Sequence, residues 1–222
     1  MGRKFLITGT DTGVGKTKVG CGLAAAFRAR GLKVGVMKPV ETGCLEIADG
    51  SLDPADARAL ARSASCPLPL DIIAPFRYRS PLAPAAAAEV DGFEPPNFAK
   101  IGDCFRMLCN ASGVLIVEGA GGIAVPIRWE RDFADLTRLL GLEIIVVVGN
   151  RLGCLNAAVL TFKYAESRGL EIAGYILNDV EPPETIAEQT NEASLTHLTG
   201  LPYLGRMGHR EPLKAVTIDR LL

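Results

Sequence analysis

The chain has 222 residues, of which 48% are hydrophobic, and its formal net charge is −1. This length suffices for one sizeable core and leaves little room for two full domains, so we expect a single α/β domain over residues 1–222. The near-neutral charge provides no basic field for nucleic acid or an anionic membrane, and the apolar stretches are far shorter than a membrane span, so neither partner is expected.

Short apolar runs alternate along the chain with longer segments that are typical of helices. The predicted strands are residues 5–8, 33–39, 114–118, 143–149, 171–178 and 202–204. The predicted helices are residues 17–30, 54–63, 97–111, 133–140, 155–168 and 183–199. Strands that are apolar on both faces, such as residues 144–148, belong to a parallel sheet covered by helices on both sides. The pattern predicts an α/β fold with a doubly wound, mostly parallel sheet.

The first predicted strand runs into a glycine-containing loop that ends in Gly15, Lys16 and Thr17, and a helix follows at once. In this setting backbone N–H groups and the helix N-terminus can hold phosphates, Lys16 can reach the outer phosphates, and Thr17 can bind Mg²⁺. The match to G-x-x-x-x-G-K-[ST] is imperfect, because Thr10 stands where that pattern has its first glycine. An incidental surface lysine is the alternative, but it does not explain why these three residues meet at a strand-to-helix junction. We therefore predict a nucleotide-phosphate site.

Two further strand ends carry charged residues. Ligands of a doubly wound sheet bind beyond the carboxyl ends of its strands, and Lys38 and Glu118 stand at such ends. Taken alone, Lys38 only marks where its strand meets water; beside a phosphate loop, a second lysine suits the charge that develops in phosphoryl transfer. Glu118, followed by a glycine cluster, can hold Mg²⁺ beside Thr17, with an exposed glutamate in a glycine turn as the alternative.

The segment from Asp53 to Asp56 leaves two interpretations open. Asp53 is placed to be a helix N-cap, with Pro54 as the first helical residue. Asp56 then either complements the helix dipole or binds the metal.

Later loops offer weaker signals. Asn178 and Asp179 follow a strand and are either turn residues or contacts for a nucleobase. Cys154 has no neighbouring histidine, so we expect a small buried side chain rather than a nucleophile. Its loop opens a helix whose N-terminus can bind a carboxylate. The six cysteines include no C-x-x-C pair and the two histidines lack zinc-ligand spacing, so we expect reduced thiols, no zinc site and a cytoplasmic protein.

Five blocks of the chain, in order and over nearly its whole length, resemble the signatures of the dethiobiotin synthetases. The blocks are Gly9-Thr10-Asp11-Thr12-Gly13-Val14-Gly15-Lys16-Thr17, Lys38-Pro39-Val40 with Thr42-Gly43, Val117-Glu118-Gly119-Ala120-Gly121-Gly122, Leu152-Gly153-Cys154-Leu155-Asn156 and Asn178-Asp179-Val180. The resemblance implies a P-loop NTPase fold and ATP- and Mg²⁺-dependent closure of a ureido ring on 7,8-diaminononanoate with CO₂. The products would be dethiobiotin, ADP and phosphate, formed through a carbamate and a carbamic-phosphoric anhydride.

The resemblance also implies a role for each matched residue. The residues implied at ATP are Gly13, Val14, Gly15, Lys16, Thr17, Lys18, Asp56, Glu118, Gly119, Ala120, Gly121, Asn178 and Asp179, the last two at the adenine. Those implied at Mg²⁺ are Thr17, Asp56 and Glu118, which favours metal binding for Asp56. Lys38, Lys16 and Thr12 would stabilise the carbamate and the transferred phosphoryl group. Thr42 would contact the substrate, and Gly153, Cys154 and Asn156 of the second subunit of a homodimer would cap its carboxylate at the interface.

Three departures from the family pattern stand out. Gly13 replaces an acidic residue of some members, Ala157 a common histidine, and residues 205–210 lack the usual Ile-Pro pattern near the adenine. The alternative function is an ATP-driven switch dimer of the partition and division-site ATPase type. Such proteins carry an additional lysine early in the phosphate loop, which residues 9–13 lack, and often a basic membrane helix, which residues 215–222 do not resemble.

Overall fold

The computed structural model describes residues 2–213, 219 and 221. Its strands are β1 (Lys4–Gly9), β2 (Val34–Met37), β3 (Val40–Thr42), β4 (Leu45–Glu46), β5 (Leu52–Asp53), β6 (Phe76–Tyr78), β7 (Val114–Gly122), β8 (Pro126–Arg128), β9 (Arg131–Asp132), β10 (Glu143–Gly149), β11 (Ile172–Asn178) and β12 (Tyr203–Met207). Its helices are α1 (Lys16–Ala29), α2 (Ala55–Ala64), α3 (Leu70–Ile73), α4 (Pro84–Asp91), α5 (Phe98–Ala111), α6 (Phe133–Leu140), α7 (Cys154–Ser167) and α8 (Ile186–Thr199). The prediction about residues 215–222 falls almost entirely outside the described residues.

Six strands form the central sheet, in the order β12-β11-β10-β1-β7-β2, and every neighbouring pair is parallel. The strands β1, β2 and β10 are buried along nearly their whole length because helices cover both faces of the sheet. The rings of Phe5 on β1 and Phe27 on α1 stack with centroids 6.2 Å apart, which joins the central strand to the helix that follows the phosphate loop. The predicted fold class is confirmed.

Element boundaries differ from the prediction where local chemistry decides them. Strand β7 continues beyond Glu118, because the glycine run that follows still pairs with β1, up to Gly122 beside Gly9. Helix α8 begins at Ile186 rather than at residue 183, since Thr185 and Glu188 form a capping box.

The prediction of Asp53 as the N-cap of α2 is wrong. Pro54 occupies the N-cap position and its side chain makes no capping bond. Asp53 lies in β5, and its carboxylate forms an ion pair with Arg58, 2.7 Å away. The amides of the first turn of α2 are therefore free to bond to another part of the chain.

The proline-rich stretch 67–96 contains α3, β6 and α4. Its strand β6 pairs in parallel with β3, with Glu41 opposite Arg77 and Thr42 opposite Tyr78. The backbone N–H of Lys38 also donates to the carbonyl of Ile73, at 2.8 Å. These contacts fix the segment that follows β2.

No helix among the described residues is long and apolar enough to cross a bilayer. All six cysteines lie within the described ranges and are free thiols, as expected. Burial raises the pKa of the Cys154 thiol, which supports the interpretation of this residue as a buried side chain rather than a nucleophile.

Candidate functional site

The loop between β1 and α1 takes its shape from glycines in the left-handed region. Gly13 has φ 75° and Gly15 has φ 89°, conformations in which a Cβ is costly. Gly15 is the N-cap of α1 and no side chain caps that helix, so the first-turn amides point towards the loop. This arrangement of N–H groups at a helix N-terminus is suited to bind phosphate oxygens.

Lys16 opens α1 and is 7% exposed. Its Nζ donates to the backbone carbonyl of Asp11, 3.1 Å away, so the side chain folds back over the loop. Burial, followed by the charge of Lys38, lowers the pKa of Lys16 to about 8. The charges of Lys16 and Lys38 are therefore close enough to repel each other, and an anion bound in the cleft between them would be attracted by both.

Lys38 is the second cation of this cleft and is 4% exposed. Its Nζ forms ion pairs with Asp56 Oδ2, at 2.9 Å, and with Glu118 Oε1. Burial on its own would lower the pKa of Lys38, but the two carboxylates outweigh it and raise that pKa above its usual value. Lys38 is thus held as an ammonium between two carboxylates that come from different segments of the chain.

Glu118, Thr17 and Asp56 fit a Mg²⁺ ion bound together with phosphate. The Thr17 hydroxyl donates to Glu118 Oε1, at 2.8 Å, and Glu118 is fully buried. Glu118 Oε2 has no hydrogen-bond partner, so a buried carboxylate oxygen is available for a cation. The described residues contain no group of three or more His, Cys, Asp and Glu side chains around a metal position. Two carboxylates and a hydroxyl are a small number of protein ligands. This suits Mg²⁺, which usually keeps several water ligands and also binds the phosphates of the substrate.

The cleft around these groups has a volume of about 340 Å³. Its walls come from the loop after β1, the segment after β2, the start of α2 and the glycine run of β7. The lining residues are Thr12, Gly13, Gly15, Lys16, Thr17, Lys38, Glu41, Thr42, Asp56, Glu118, Ala120 and Gly121. Gly119 is buried below this surface, against Phe133. The cleft brings together most of the residues that the sequence predicts to bind phosphate, metal or substrate.

Asn178 and Asp179 lie on the other side of the phosphate loop. The Asn178 amide donates to the backbone carbonyl of Val14, at 2.8 Å, and its own Oδ1 is buried without a partner. Both Asp179 oxygens accept hydrogen bonds: Oδ1 from Asn150, at 2.6 Å, and both oxygens from Arg206. Asn178 therefore has an acceptor to offer a ligand, whereas Asp179 is occupied within the protein. Their contact with adenine stays a prediction.

The start of α7 does not line the cleft of its own chain. Gly153 has φ 88° and leaves the helix without a side-chain cap, Cys154 is buried, and Asn156 is exposed. The substrate contacts predicted for the α7 residues require a second subunit and remain predictions.

Lys18, which is predicted at ATP, lies on α1, and its Nζ donates to the carbonyl of Gly208, 3.0 Å away.

Sequence reasoning missed three residues that organise the site. The Glu41 carboxylate accepts from the amides of Asp56 and Ala57, and burial raises its pKa. Asn150 and Arg206 hold Asp179. Only Glu41 had a signal in the sequence, since a charged residue between Lys38 and Thr42 has to face either water or the cleft.

A strand, a phosphate loop ending in Gly-Lys-Thr and a helix, at the centre of a parallel sheet, define a P-loop nucleotide-binding protein. The family model described as "AAA domain" matches residues 3–217. Among solved structures, the septum site-determining protein MinD complexed with Mg-ADP from Pyrococcus horikoshii aligns with a TM-score of 0.54 at 18% identity, over 99% of this chain and 86% of that one. The signal recognition particle receptor FtsY from Elizabethkingia anophelis aligns with a TM-score of 0.56 at 15% identity, over 99% and 65%. At these identities the likeness shows the fold alone.

Curated relatives show which family of P-loop proteins the chain resembles. The ATP-dependent dethiobiotin synthetase BioD of Anaeromyxobacter dehalogenans (strain 2CP-C) is 40% identical over 211 residues, which cover 95% of this chain and 88% of the relative. The protein of the same name from Anaeromyxobacter sp. (strain K) is 39% identical over the same shares. The chain belongs to the ATP-dependent dethiobiotin synthetase family and is an ATP-using ligase. The predicted resemblance is confirmed, and the switch-dimer alternative is not favoured.

Proposed function

We propose that the chain converts 7,8-diaminononanoate, CO₂ and ATP into dethiobiotin, ADP and phosphate. One amine adds to CO₂ and loses a proton, which gives a carbamate. A carbamate oxygen attacks the terminal phosphorus of ATP and expels ADP, leaving a carbamic-phosphoric anhydride. The second amine then attacks the carbonyl carbon, phosphate departs and the ureido ring closes.

The observation that supports this reaction is the convergence of two buried ammonium groups on one cleft. Lys16 and Lys38 both line it, and Lys38 stays charged because two carboxylates flank it. The carbamate, the transferred phosphoryl group and the departing phosphate are all anions. Cations fixed in a partly water-excluded site stabilise such charge without reorganising during the reaction.

The phosphate loop accounts for ATP in this proposal. The backbone from Gly13 to Lys18 would hold the phosphates through N–H groups at the start of α1. Thr17, Asp56 and Glu118 would hold Mg²⁺, which neutralises part of the phosphate charge when it is bound. Asn178 would offer its unpartnered Oδ1 to the amino group of adenine.

Thr12 and Thr42 would bind the diamine and its carbamate. Thr12 is exposed in the phosphate loop, with its Oγ1 3.7 Å from where a Cβ on Gly121 would lie. Thr42 lies on β3, four residues after Lys38, and also lines the cleft. Two hydroxyls that line the same cleft can each donate to a carbamate oxygen or accept from an amine.

The substrate carboxylate would be bound by a second copy of the chain. Gly153, Cys154 and Asn156 open α7 with no side-chain cap, and the preceding Leu152 is 83% exposed. Uncapped amides at a helix N-terminus favour a carboxylate, and an exposed leucine beside them suits a protein interface. The homodimer proposed here has the substrate at this interface.

Purified protein incubated with ATP, Mg²⁺, bicarbonate and 7,8-diaminononanoate tests the proposal. Mass spectrometry should detect dethiobiotin, with one phosphate released for each ring formed and no phosphate release when the diamine is left out. ATP hydrolysis that does not depend on the diamine, without a ring product, would show that the proposal is wrong.

A further inference from the structure

Helix α2 begins with backbone amides that its own residues do not cap. Its N-cap is Pro54, which has no side-chain donor or acceptor, and Asp53 is turned away into an ion pair with Arg58. The caps come instead from β3, fifteen residues earlier. Glu41 Oε1 accepts from the N–H of Asp56, at 2.8 Å, and Oε2 accepts from the N–H of Ala57, at 3.0 Å.

Both oxygens of Glu41 are thus committed to two consecutive amides, and the residue is only 4% exposed. A carboxylate at a helix N-terminus is stabilised by the helix dipole as well as by these two bonds. These two bonds join the backbone of Asp56 to β3, the strand that follows Lys38 and contains Thr42. Glu41 lines the cleft, whereas an ordinary capping residue lies on the protein surface.

We propose that Glu41 is a positioning residue: by holding the Asp56 amide it fixes the Asp56 carboxylate for Lys38 and for the metal that accompanies ATP. Asp56 is the most exposed of the charged groups around Lys38, with 42% of its side chain accessible, whereas the Glu118 side chain is fully buried. Glu118 is immobilised by burial within β7. Asp56 has no such support, and its place depends on where α2 begins.

The proposal rests on the proposed function only in that Asp56 is one of the proposed metal ligands. Three other contacts could hold Asp56, namely its bond to Lys38, its hydrogen bond with Thr17 and the packing of α2 against α1. The two side-chain bonds hold the carboxylate but do not act on the backbone amides of α2. The packing positions the helix axis but leaves its first turn free to fray. Glu41 acts on that first turn.

Manganese binding in the presence of ADP, followed by electron paramagnetic resonance, tests the proposal without any turnover. Glu41→Ala should weaken Mn²⁺ binding about 10- to 100-fold, as is typical when a group that orients a metal ligand is lost. Glu41→Gln keeps one acceptor oxygen and should give an intermediate loss. The matched control is Asp53→Ala, which breaks an ion pair at the same helix start, lowers thermal stability and should leave the Mn²⁺ affinity within twofold of wild type.

Wild-type Mn²⁺ affinity in folded Glu41→Ala, with only a lower melting temperature, would overturn the proposal and leave Glu41 as a structural cap. Should Glu41→Ala not fold, Glu41→Gln decides in the same way: a loss beyond that of Asp53→Ala supports the role, and an affinity equal to wild type overturns it. None of these measurements uses the diamine. A failure of the proposed reaction would therefore appear as missing dethiobiotin while the Mn²⁺ series still reports on Glu41.

Discussion

Asn178 lies directly beneath Gly15: a Cβ built on this glycine would be 2.2 Å from the Asn178 Nδ2 atom. The amide cannot simply rotate away, because it donates to the carbonyl of Val14 in the same loop. The phosphate loop is therefore held in place from below by the end of β11, and Gly15 is required both for its left-handed backbone and for the close approach of this side chain.

Gly15→Ala should destabilise the fold and abolish nucleotide binding. Left-handed strain alone costs about 1–2 kcal/mol, and the contact with Asn178 adds to it. Gly13→Ala is the matched control, since Gly13 has φ 75° but nothing within 4 Å of its Cβ position. Urea unfolding should show a clearly larger loss for Gly15→Ala than for Gly13→Ala. Equal losses would mean that strain, and not the contact, dominates.

Lys38→Ala should reduce turnover by at least the 10²- to 10³-fold seen when one stabilising donor is removed from an active site. It should also lower stability by about 3–5 kcal/mol, because it leaves buried Glu118 without its cation. Chemical unfolding and product formation measure the two effects separately. Adding Glu118→Gln should recover stability and leave turnover abolished; recovered turnover in the double variant would contradict the catalytic role of Lys38.

Removal of Mg²⁺ with a chelator should stop turnover, and its return should restore it. Thr17→Val keeps the shape of the side chain but has no hydroxyl for the metal, so we expect a higher Mg²⁺ requirement and a turnover lower by at least tenfold. Thr17→Ser retains the hydroxyl and is the control. Turnover plotted against free Mg²⁺ compares the three proteins, and identical curves would exclude Thr17 from the metal site.

The homodimer can be tested by mixing two inactive variants. Lys38→Ala disables the cleft of its own chain, and Asn156→Ala disables the contact proposed to come from the partner. A mixed dimer then contains one site with both changes and one intact site, so equal mixing after subunit exchange should recover about a quarter of wild-type turnover. If each chain carries a whole site, Asn156→Ala stays active on its own, because the start of α7 does not line the cleft of its own chain.

The sequence sufficed for the sheet and for the cleft residues at strand ends, since apolar strands and a glycine loop are local patterns. It could not reveal that Glu41 caps α2, because that bond joins residues fifteen positions apart across a loop. The two bonds from Arg206 to Asp179 are equally non-local, and they pair a carboxylate for which the sequence predicts a contact with the base. Asp53 shows the opposite error, in which a good local capping signal lost to an ion pair with Arg58.

The place of β1 at the middle of the sheet has a consequence for how the chain folds. Its partners along the register, Ile116 on β7 and Glu143 on β10, are synthesised more than a hundred residues after Phe5. Contacts of such sequence separation close slowly, so this buried strand lacks its two neighbours until β7 and then β10 have emerged. The phosphate loop, attached to that strand, therefore takes its final form late, and nucleotide can bind only chains that have completed this step.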